Sequence, residues 1–567
     1  MRKILSTSVV SLLLVLPLAW PQVATQGQPA PARAERTATG GKGLVVSGNA
    51  RSTAAGIKIL EQGGNAADAG AATLLALSVT AVGAFCVGGE VPILVYDVSK
   101  KNVKVLAGQG EAPLDPKAIQ WYMENPVPDG DIKNSPVPAS VDAVITLLKM
   151  YGTKSFAEVV QPTLEILDKG GETWYVDTGD RKKRETGVHW QALQATTFRK
   201  MVESEKQARG TREQKLQAAA DRFYRGDIAD ELERYYIEKG GFLRKADLAA
   251  HKTRVEDPVS VNYRGYTVYK CGPWTQGPSV LQALRLLEGF DLKAMGFYSP
   301  NYIHTVMEAL KLAFADRDDW YGDPNFVKVP MKQLLSDEYT NIRRALIDPK
   351  KASLERRPGD PIHMKPLKPP SPDQPSQGGT TVMCVTDKWG NLIATTPSGL
   401  SSNGEVAGST GVIHGTRLSS LNTFKGHPNV IQPGKRPRVT LTPTLLFKGN
   451  QPLMAISVAG GDMQDQAALE IILAYVDFGM SGEEAFKAPR FSTNHFINSF
   501  DWNRGRVGLG SLSVSGLALN EAGQADLKAR GHVLTVGKGG VGGAALIAID
   551  PATKRATAAG PAAGKID

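Results

Sequence analysis

Short apolar runs bounded by turn residues recur along this chain, and they predict strands as well as helices. Residues 382–385 are continuously apolar and predict a buried strand. Residues 387–391 are turn formers, and 392–396 predict a strand that returns beside the first as a hairpin. Two threonines, Thr380 and Thr381, stand at the entrance of this hairpin, directly after two glycines.

Apolar residues at helical spacing predict two consecutive helices further towards the N-terminus. The first covers 51–62 and ends at a glycine pair, which is typical of a helix C-terminus. Asn65 then caps a second helix over 66–79, and Asp68 three residues later completes a variant of the capping box. Because helical and strand segments are mixed along the whole chain, the sequence predicts a layered α/β fold.

A second predicted hairpin leads into a candidate site of acyl chemistry. Its strands cover 441–447 and 453–458, and the glycine pair Gly460-Gly461 follows, before a helix over 462–478. Backbone N–H groups of a glycine pair at a helix N-terminus are free to point at a developing oxyanion.

The first residues of the chain predict export. Arg2 and Lys3 precede an apolar segment at 9–20 that is too short to cross a membrane. We expect a signal peptide over 1–24, whose cleavage site is left open, and a flexible leader over 25–43. The mature protein is then expected to be periplasmic or secreted, without a membrane span.

Composition narrows the function classes. The net charge of +10 is spread over the 567 residues, and basic clusters such as 181–184 lack interleaved aromatic residues. We therefore expect a solvated surface and no nucleic-acid partner. Cys86, Cys271 and Cys384 form neither a CxxC nor a metal spacing and are expected to be buried free thiols. The eight histidines are scattered, so no metal or cofactor is expected.

A proline-rich segment at 350–379 directly precedes Thr380. Such a run cannot form a core and is expected to be extended and mobile. It suits an ordinary linker, and it equally suits a segment that must be released to open a site. If the Gly379–Thr380 bond is cut, the new α-amine of Thr380 can act as base for its own hydroxyl. The alternative is that the glycines and threonines merely enter a strand.

Several further motifs occur in an order that resembles the γ-glutamyltransferase family of N-terminal nucleophile hydrolases. The similarity covers about 43–550, and its most specific pieces are 59–69, 223–229, 247–250, 263–266, Thr380-Thr381, Asp387, Gly390-Asn391 and 488–491. The resemblance implies a four-layer αββα sandwich that cleaves itself into two subunits. The large subunit would cover 44–379 and the small one 380–567, so the two would be partners made from one precursor.

The resemblance also assigns catalytic roles to particular residues. Thr380 would be the nucleophile in self-cleavage at Gly379–Thr380 and in turnover. Ser398 falls where the family has a hydroxyl that supports the nucleophile, and Gly460 and Gly461 match the glycines of its oxyanion hole.

The residues expected to bind substrate depart from the family. Thr440 matches one of two adjacent serines that contact the substrate carboxylate, while Val439 replaces the other. Gln109 falls near the position of the arginine that grips the γ-glutamyl α-carboxylate. Ser420 falls near the acidic residue that pairs with the α-amine, and Leu400 near an asparagine of the pocket loop.

Three hypotheses follow for function. The first is an exported amide hydrolase or acyltransferase of this family, acting through an acyl-enzyme on a small-molecule amide such as a γ-glutamyl compound. For γ-glutamyl recognition to be kept, Arg417 or Arg438 would have to supply a replacement cation. The second is a family acylase for a different small amide. The third is a catalytically silent envelope protein that uses the fold to bind a ligand.

Overall fold

The computed structural model describes residues 36–128, 130–170, 173–175, 184–186, 188–367, 380–399, 406–500, 507–537 and 541–566. The expected signal peptide at 1–24, Gly379 and Leu400 lie outside these residues. The three cysteines are free and buried, as predicted.

Two seven-stranded antiparallel sheets form the centre of the molecule. The first sheet has the strand order Ala562–Lys565, Gly43–Ser47, Met383–Asp387, Leu392–Thr395, Val91–Asp97, Asn102–Gly108 and Arg254–Glu256. The second sheet has the order Arg36–Gly40, Ala556–Gly560, Gly543–Ile549, Gln451–Ala459, Thr444–Lys448, Tyr266–Lys270 and Val259–Tyr263.

Helices surround the sheets, and smaller strand pairs lie outside them. The helices are Ala50–Glu61, Ala66–Thr80, Pro116–Glu124, Ser140–Tyr151, Phe156–Lys169, Val188–Gln207, Arg212–Tyr224, Asp227–Glu238, Lys245–Ala250, Pro278–Leu287, Leu292–Met295, Pro300–Trp320, Met331–Leu334, Asp337–Arg344, Met463–Val476, Gly482–Lys487 and Glu521–Ala529, with 3-10 turns at Ile132–Asn134 and Arg417–Ser420. The strand pairs join Thr173–Tyr175 to Arg184–Thr186, Gly359–Asp360 to Lys365–Pro366, Val406–Ala407 to Val412–Ile413, and Ser511–Ser515 to Val533–Gly537.

Alternating side chains of each strand sort into separate layers. In Met383–Asp387, Cys384 packs between the two sheets, whereas Met383 and Val385 pack under the helices that cover the first sheet. In Gln451–Ala459, Ala455 faces the inter-sheet core and Ile456 faces the helices on the other side. Successive strand residues point to opposite faces, so this division gives two sheets enclosed by helices. The predicted four-layer αββα architecture is confirmed.

The capping pattern read from the sequence is also confirmed. The Asn65 side chain accepts hydrogen bonds from the backbone N–H groups of Ala67 and Asp68, and the Asp68 carboxylate accepts from the Asn65 N–H. A buried helix end needs such partners because its first N–H groups have none inside the helix.

Two segments are more ordered than the sequence suggested. The strand Arg36–Gly40 lies inside the expected flexible leader over 25–43, and it pairs with Ala556–Gly560. Residues 350–367, expected to be mobile with the rest of the proline-rich segment, pack on the domain. Arg357 forms an ion pair with Glu308, and the Gly359 N–H donates to Asp316. The two carboxylates that hold this segment are buried on the helix Pro300–Trp320. The proline content of the segment gave no sign of these contacts.

Candidate active site

Thr380 lies three residues before the strand Met383–Asp387, which is an inner strand of the first sheet. The N–H of Thr381 donates to the Pro397 carbonyl at 3.0 Å, which joins the entrance of the predicted hairpin to its exit. The Thr380 Oγ1 is enclosed and makes no hydrogen bond with any described residue. Gly48 packs so closely that a Cβ there would lie 2.1 Å from the Thr381 Oγ1. The threonine pair is thus held by backbone contacts while the Thr380 hydroxyl stays uncommitted.

Ser398, which follows the strand Leu392–Thr395, belongs to a buried charged cluster. Its backbone exchanges two hydrogen bonds with Glu90, at 2.9 and 3.0 Å. Its hydroxyl accepts from the Arg417 Nη2 at 2.5 Å, and the Arg417 Nε is bonded to the Glu90 Oε1. Burial raises the pKa of the Glu90 carboxyl, and the Arg417 guanidinium opposes part of that rise. The guanidinium charge is therefore compensated within the protein.

Hydrogen bonds of Ser457 connect the second sheet to the residues that precede Ser398. The Ser457 Oγ lies 3.0 Å from the Thr396 Oγ1 and donates to the Thr395 carbonyl at 2.7 Å. Ser457 lies on the strand Gln451–Ala459, three residues before Gly460, and Thr396 is two residues before Ser398. The glycine pair and Ser398 consequently lie at the same edge of the sandwich.

The Gly460-Gly461 turn has the backbone geometry that glycine permits. The φ angles are +128° for Gly460 and +57° for Gly461, a region that other residues rarely adopt. The carbonyls of both glycines accept hydrogen bonds from the first turn of the next helix, at Met463 and Gln464. Within the described residues no hydrogen bond uses the N–H of either glycine. These donors remain available for an oxyanion.

A chain of hydrogen bonds links the glycine turn to Arg438 and Ser420. The Asp462 carboxylate accepts from the Ser499 hydroxyl at 2.6 Å, and this hydroxyl accepts from the Arg438 Nη2 at 3.0 Å. Asn429 accepts from the Arg438 N–H at 2.8 Å and donates to the Ser420 carbonyl at 2.5 Å. Burial lowers the pKa of Arg438 to about 10, so this guanidinium stays charged at neutral pH.

Four residues assigned to substrate binding, Gln109, Ser420, Val439 and Thr440, are fully buried. Neither the side-chain amide of Gln109 nor the hydroxyl of Ser420 has a hydrogen-bond partner among the described residues. The side chain of Val439 packs in the apolar core between the sheets. Thr440 lies beside the Gln464 amide, which, with its nitrogen facing the carbonyls, donates to Thr440 O and Val458 O at 3.0 Å each.

Two residues that contact the candidate site, Glu90 and Phe500, were not predicted from the sequence. Glu90, the counterion of Arg417, is a single acidic residue after a glycine pair in an otherwise apolar stretch, which was the available signal. Phe500 packs on the glycine turn, since a Cβ on Gly461 would lie 3.1 Å from its ring, and the Arg417 guanidinium lies 5.3 Å from the ring centroid. The Arg417 side chain is thereby brought close to the glycine turn.

Comparison with known proteins shows the family to which the chain belongs. The family model for gamma-glutamyltranspeptidase matches residues 52–564. The glutathione hydrolase proenzyme of Escherichia coli (strain K12) is 30% identical over 480 residues, covering 79% of this chain and 80% of that protein. The acylase ACY 1 proenzyme of Pseudomonas sp. (strain SE83) is 29% identical over 548 residues, covering 91% of each chain.

Solved structures share the fold of this chain. The structure titled LmbA2991HD has a TM-score of 0.83 at 32% identity and covers 94% of this chain and 100% of its own. The cephalosporin acylase from Bacillus halodurans has a TM-score of 0.75 at 26% identity, covering 94% of this chain and 97% of its own. The protein is an N-terminal nucleophile amidohydrolase/acyltransferase, and it belongs to the γ-glutamyltranspeptidase family.

Proposed function

We propose that this enzyme is an exported amidase that uses Thr380 as its nucleophile and favours acyl groups without the charged α-ammonium and α-carboxylate of a γ-glutamyl group. The observation that carries the substrate preference is the buried Glu90–Arg417 ion pair beside Ser398. Because this family membership makes the chain an enzyme, the catalytically silent alternative is not retained.

The nucleophile is proposed from its position and from its unengaged hydroxyl. Cleavage of the Gly379–Thr380 bond leaves an α-amine on Thr380 that takes the hydroxyl proton. The hydroxyl oxygen then adds to the substrate amide carbon, and the N–H groups of Gly460 and Gly461 stabilise the oxyanion. The leaving amine takes the proton, and water or an acceptor amine later releases the acyl group from Thr380.

The charges around the pocket argue against strong recognition of a zwitterionic acyl group. Gln109 and Ser420 are uncharged where the family is expected to hold the two opposite charges. Arg417, one of the two candidate replacement cations, is already paired with Glu90. A hydrogen bond to a charged group contributes about 1.5–3 kcal/mol, against about 0.5–1.5 for a neutral one. The loss of two charged contacts weakens γ-glutamyl recognition by roughly tenfold or more.

An uncharged, enclosed acyl pocket is the alternative that the buried neutral groups favour. The side-chain amide of Gln109 and the hydroxyl of Ser420 are buried donors and acceptors that still lack partners. Polar groups of this kind are costly unless they are satisfied, so a substrate oxygen or nitrogen suits them. The similarity to two proteins named as acylases supports this reading.

Export and subunit formation complete the proposal. The basic start and short apolar segment of the sequence support removal of a signal peptide and a periplasmic or secreted enzyme. None of the helices in the described part of the chain combines the length and hydrophobicity needed to cross a bilayer.

A denaturing gel with mass spectrometry of the bands tests the nucleophile. We expect the purified wild-type enzyme to give two pieces, the smaller beginning at Thr380. Thr380→Ala is expected to stay whole and inactive, while the neighbouring control Thr381→Val is expected to be cut. A wild-type chain that stays whole, or a Thr380→Ala chain that still splits, would refute the assignment.

Substrate preference is tested separately on the cut enzyme. The value of kcat/KM is measured for a γ-glutamyl anilide and for a series of simple acyl anilides of similar length. We expect at least one simple acyl anilide to exceed the γ-glutamyl compound by tenfold or more. Saturable and faster hydrolysis of the γ-glutamyl compound would show that the pocket does accept a zwitterion.

A further inference from the structure

Arg317, near the end of the helix Pro300–Trp320, is a fully buried cation directly behind the glycine turn. All three of its nitrogens donate hydrogen bonds. The Nη1 lies 2.7 Å from the Gln276 Oε1 and 2.5 Å from the Asp462 Oδ1, and the Nη2 lies 3.0 Å from the Ile497 carbonyl. The Nε donates to the adjacent Asp318 carboxylate at 3.0 Å.

Two of these partners hold the backbone of the glycine turn. The Gln276 Nε2 donates to the Gly461 carbonyl at 3.3 Å. Asp462 directly follows Gly461, and its carboxylate also accepts from the Ser499 N–H at 3.0 Å. Because each peptide unit is planar, fixing the carbonyl of Gly461 fixes the peptide plane that joins Gly461 to Asp462. Together with the fixed Asp462 side chain, this limits movement of the glycine turn. One guanidinium, that of Arg317, therefore holds both Gln276 and Asp462, the two residues that fix the turn.

The positive charge of Arg317 also affects the electrostatic field at the glycine turn. A carboxylate one residue beyond the oxyanion glycines would oppose negative charge developing on the substrate, most strongly in a region without water. Asp462 is such a carboxylate, and Arg317 forms an ion pair with it in which both side chains are almost completely buried. The pair removes an unfavourable field while it keeps the carboxylate as an acceptor for Ser499.

We propose that Arg317 is a positioning residue for the Gly460-Gly461 oxyanion site and acts through Gln276 and Asp462. It does not touch the reacting atoms. This inference rests on the proposed function, since it assumes that the two glycines stabilise the oxyanion formed at Thr380.

Arg317→Lys and Gln276→Met test the proposal. Lysine keeps the charge but cannot bond Gln276 and Asp462 together in the geometry of a guanidinium, and methionine removes the amide that joins Arg317 to Gly461. Arg343→Lys is the matched control, because Arg343 is also buried and bonds Asp316 and the Leu312 carbonyl, away from the turn. The enzymes are purified, and kcat and KM are measured per cut chain, together with Tm.

Binding of an alkyl boronic acid supplies a readout that a merely structural role would not move. A boronate forms a negatively charged tetrahedral adduct with a threonine hydroxyl, so its affinity reports the oxyanion donors. For both variants we expect kcat and boronate affinity to fall together by roughly 10- to 100-fold, with KM changed by less than about threefold. The Arg343→Lys control is expected to lower Tm while it retains the wild-type kcat and boronate affinity.

The outcomes separate this inference from the proposed function. Variants with a lower Tm but wild-type kcat and boronate affinity would overturn the role of Arg317 alone. If a variant is cut too slowly for kcat to be measured, its rate of self-cleavage is measured instead. A self-cleavage rate equal to that of Arg343→Lys would overturn the proposal. A wild-type enzyme that forms no adduct at Thr380 refutes the proposed function itself.

Discussion

Replacing Glu90 by glutamine separates the charge of Arg417 from its counterion with almost no change in shape. Glu90 is 1% exposed and Arg417 is 5% exposed. Removal of one partner from a buried ion pair typically costs about 3–5 kcal/mol, because the other charge is left uncompensated. The glutamine carbonyl can still accept from the Arg417 Nε, so we expect the lower end of this range for Glu90→Gln.

The cost converts into a measurable change in thermal stability. An unfolding entropy of about 2.1 cal/mol/K per residue over about 500 residues makes 3 kcal/mol equivalent to a Tm decrease of about 3 °C, if the domain unfolds as one unit. Glu483→Gln is the control, since Glu483 forms a surface pair with Lys487 that is about half exposed. Such pairs contribute about 0–1 kcal/mol, so we expect a Tm change of less than about 1 °C.

The same substitution is expected to change substrate preference. With Glu90 neutral, the Arg417 cation beside Ser398 becomes available to an acyl group that carries a carboxylate. A gain of about 1.5–3 kcal/mol from a charged hydrogen bond corresponds to a rise of roughly 10- to 150-fold in the ratio of kcat/KM for γ-glutamyl over butyryl anilide. An unchanged ratio in a folded, cut Glu90→Gln enzyme would refute the idea that Glu90 masks Arg417 in the acyl pocket.

Three further changes have expected outcomes. Gly461→Ala places a Cβ at a φ of +57°, which costs about 1–2 kcal/mol, and it should lower kcat about tenfold or more in steady-state assays. Gly48→Ala would put its Cβ 2.1 Å from the Thr381 Oγ1 and should slow self-cleavage on a timed gel, whereas Gly41→Ala, with no atom within 4 Å, should not. Burial lowers the pKa of His414 to about 3, so the unfolded chain takes up a proton as the pH falls below about 6.5 while the folded chain does not, and stability is lost between these values. The Tm of His414→Gln should therefore decrease less than that of the wild type as the pH is lowered over this range. Equal decreases in Tm would contradict the depressed pKa of His414.

The sequence was sufficient for features that depend on local pattern. The hairpin after Thr380 and the helix capped by Asn65 follow from periodicity and turn chemistry, and the structure has both. The motifs that resemble the family also predicted the order of the layers. These signals are carried by neighbouring residues, so one chain is enough to read them.

Features that depend on distant pairing could not be predicted in the same way. Glu90 and Arg417 are 327 positions apart, and Arg317 is 145 positions from Asp462. No local pattern tells whether a buried charge meets its counterion, because the fold alone brings the two together. The strand Arg36–Gly40 was missed for a similar reason, since its small and polar residues become a strand by pairing with Ala556–Gly560.

The strand order of the two sheets has a consequence if the chain is cut before Thr380, as proposed. Segments before and after Thr380 are neighbours at three places in the first sheet and at two in the second. The strand Gly43–Ser47, for example, is hydrogen-bonded on both sides by segments that follow the cut. Strands of the two pieces would therefore alternate within the same sheets, and dilution alone would not separate the pieces. Separation requires both sheets to come apart, so denaturation of the mature enzyme is expected to be a single event that the separated pieces cannot readily reverse.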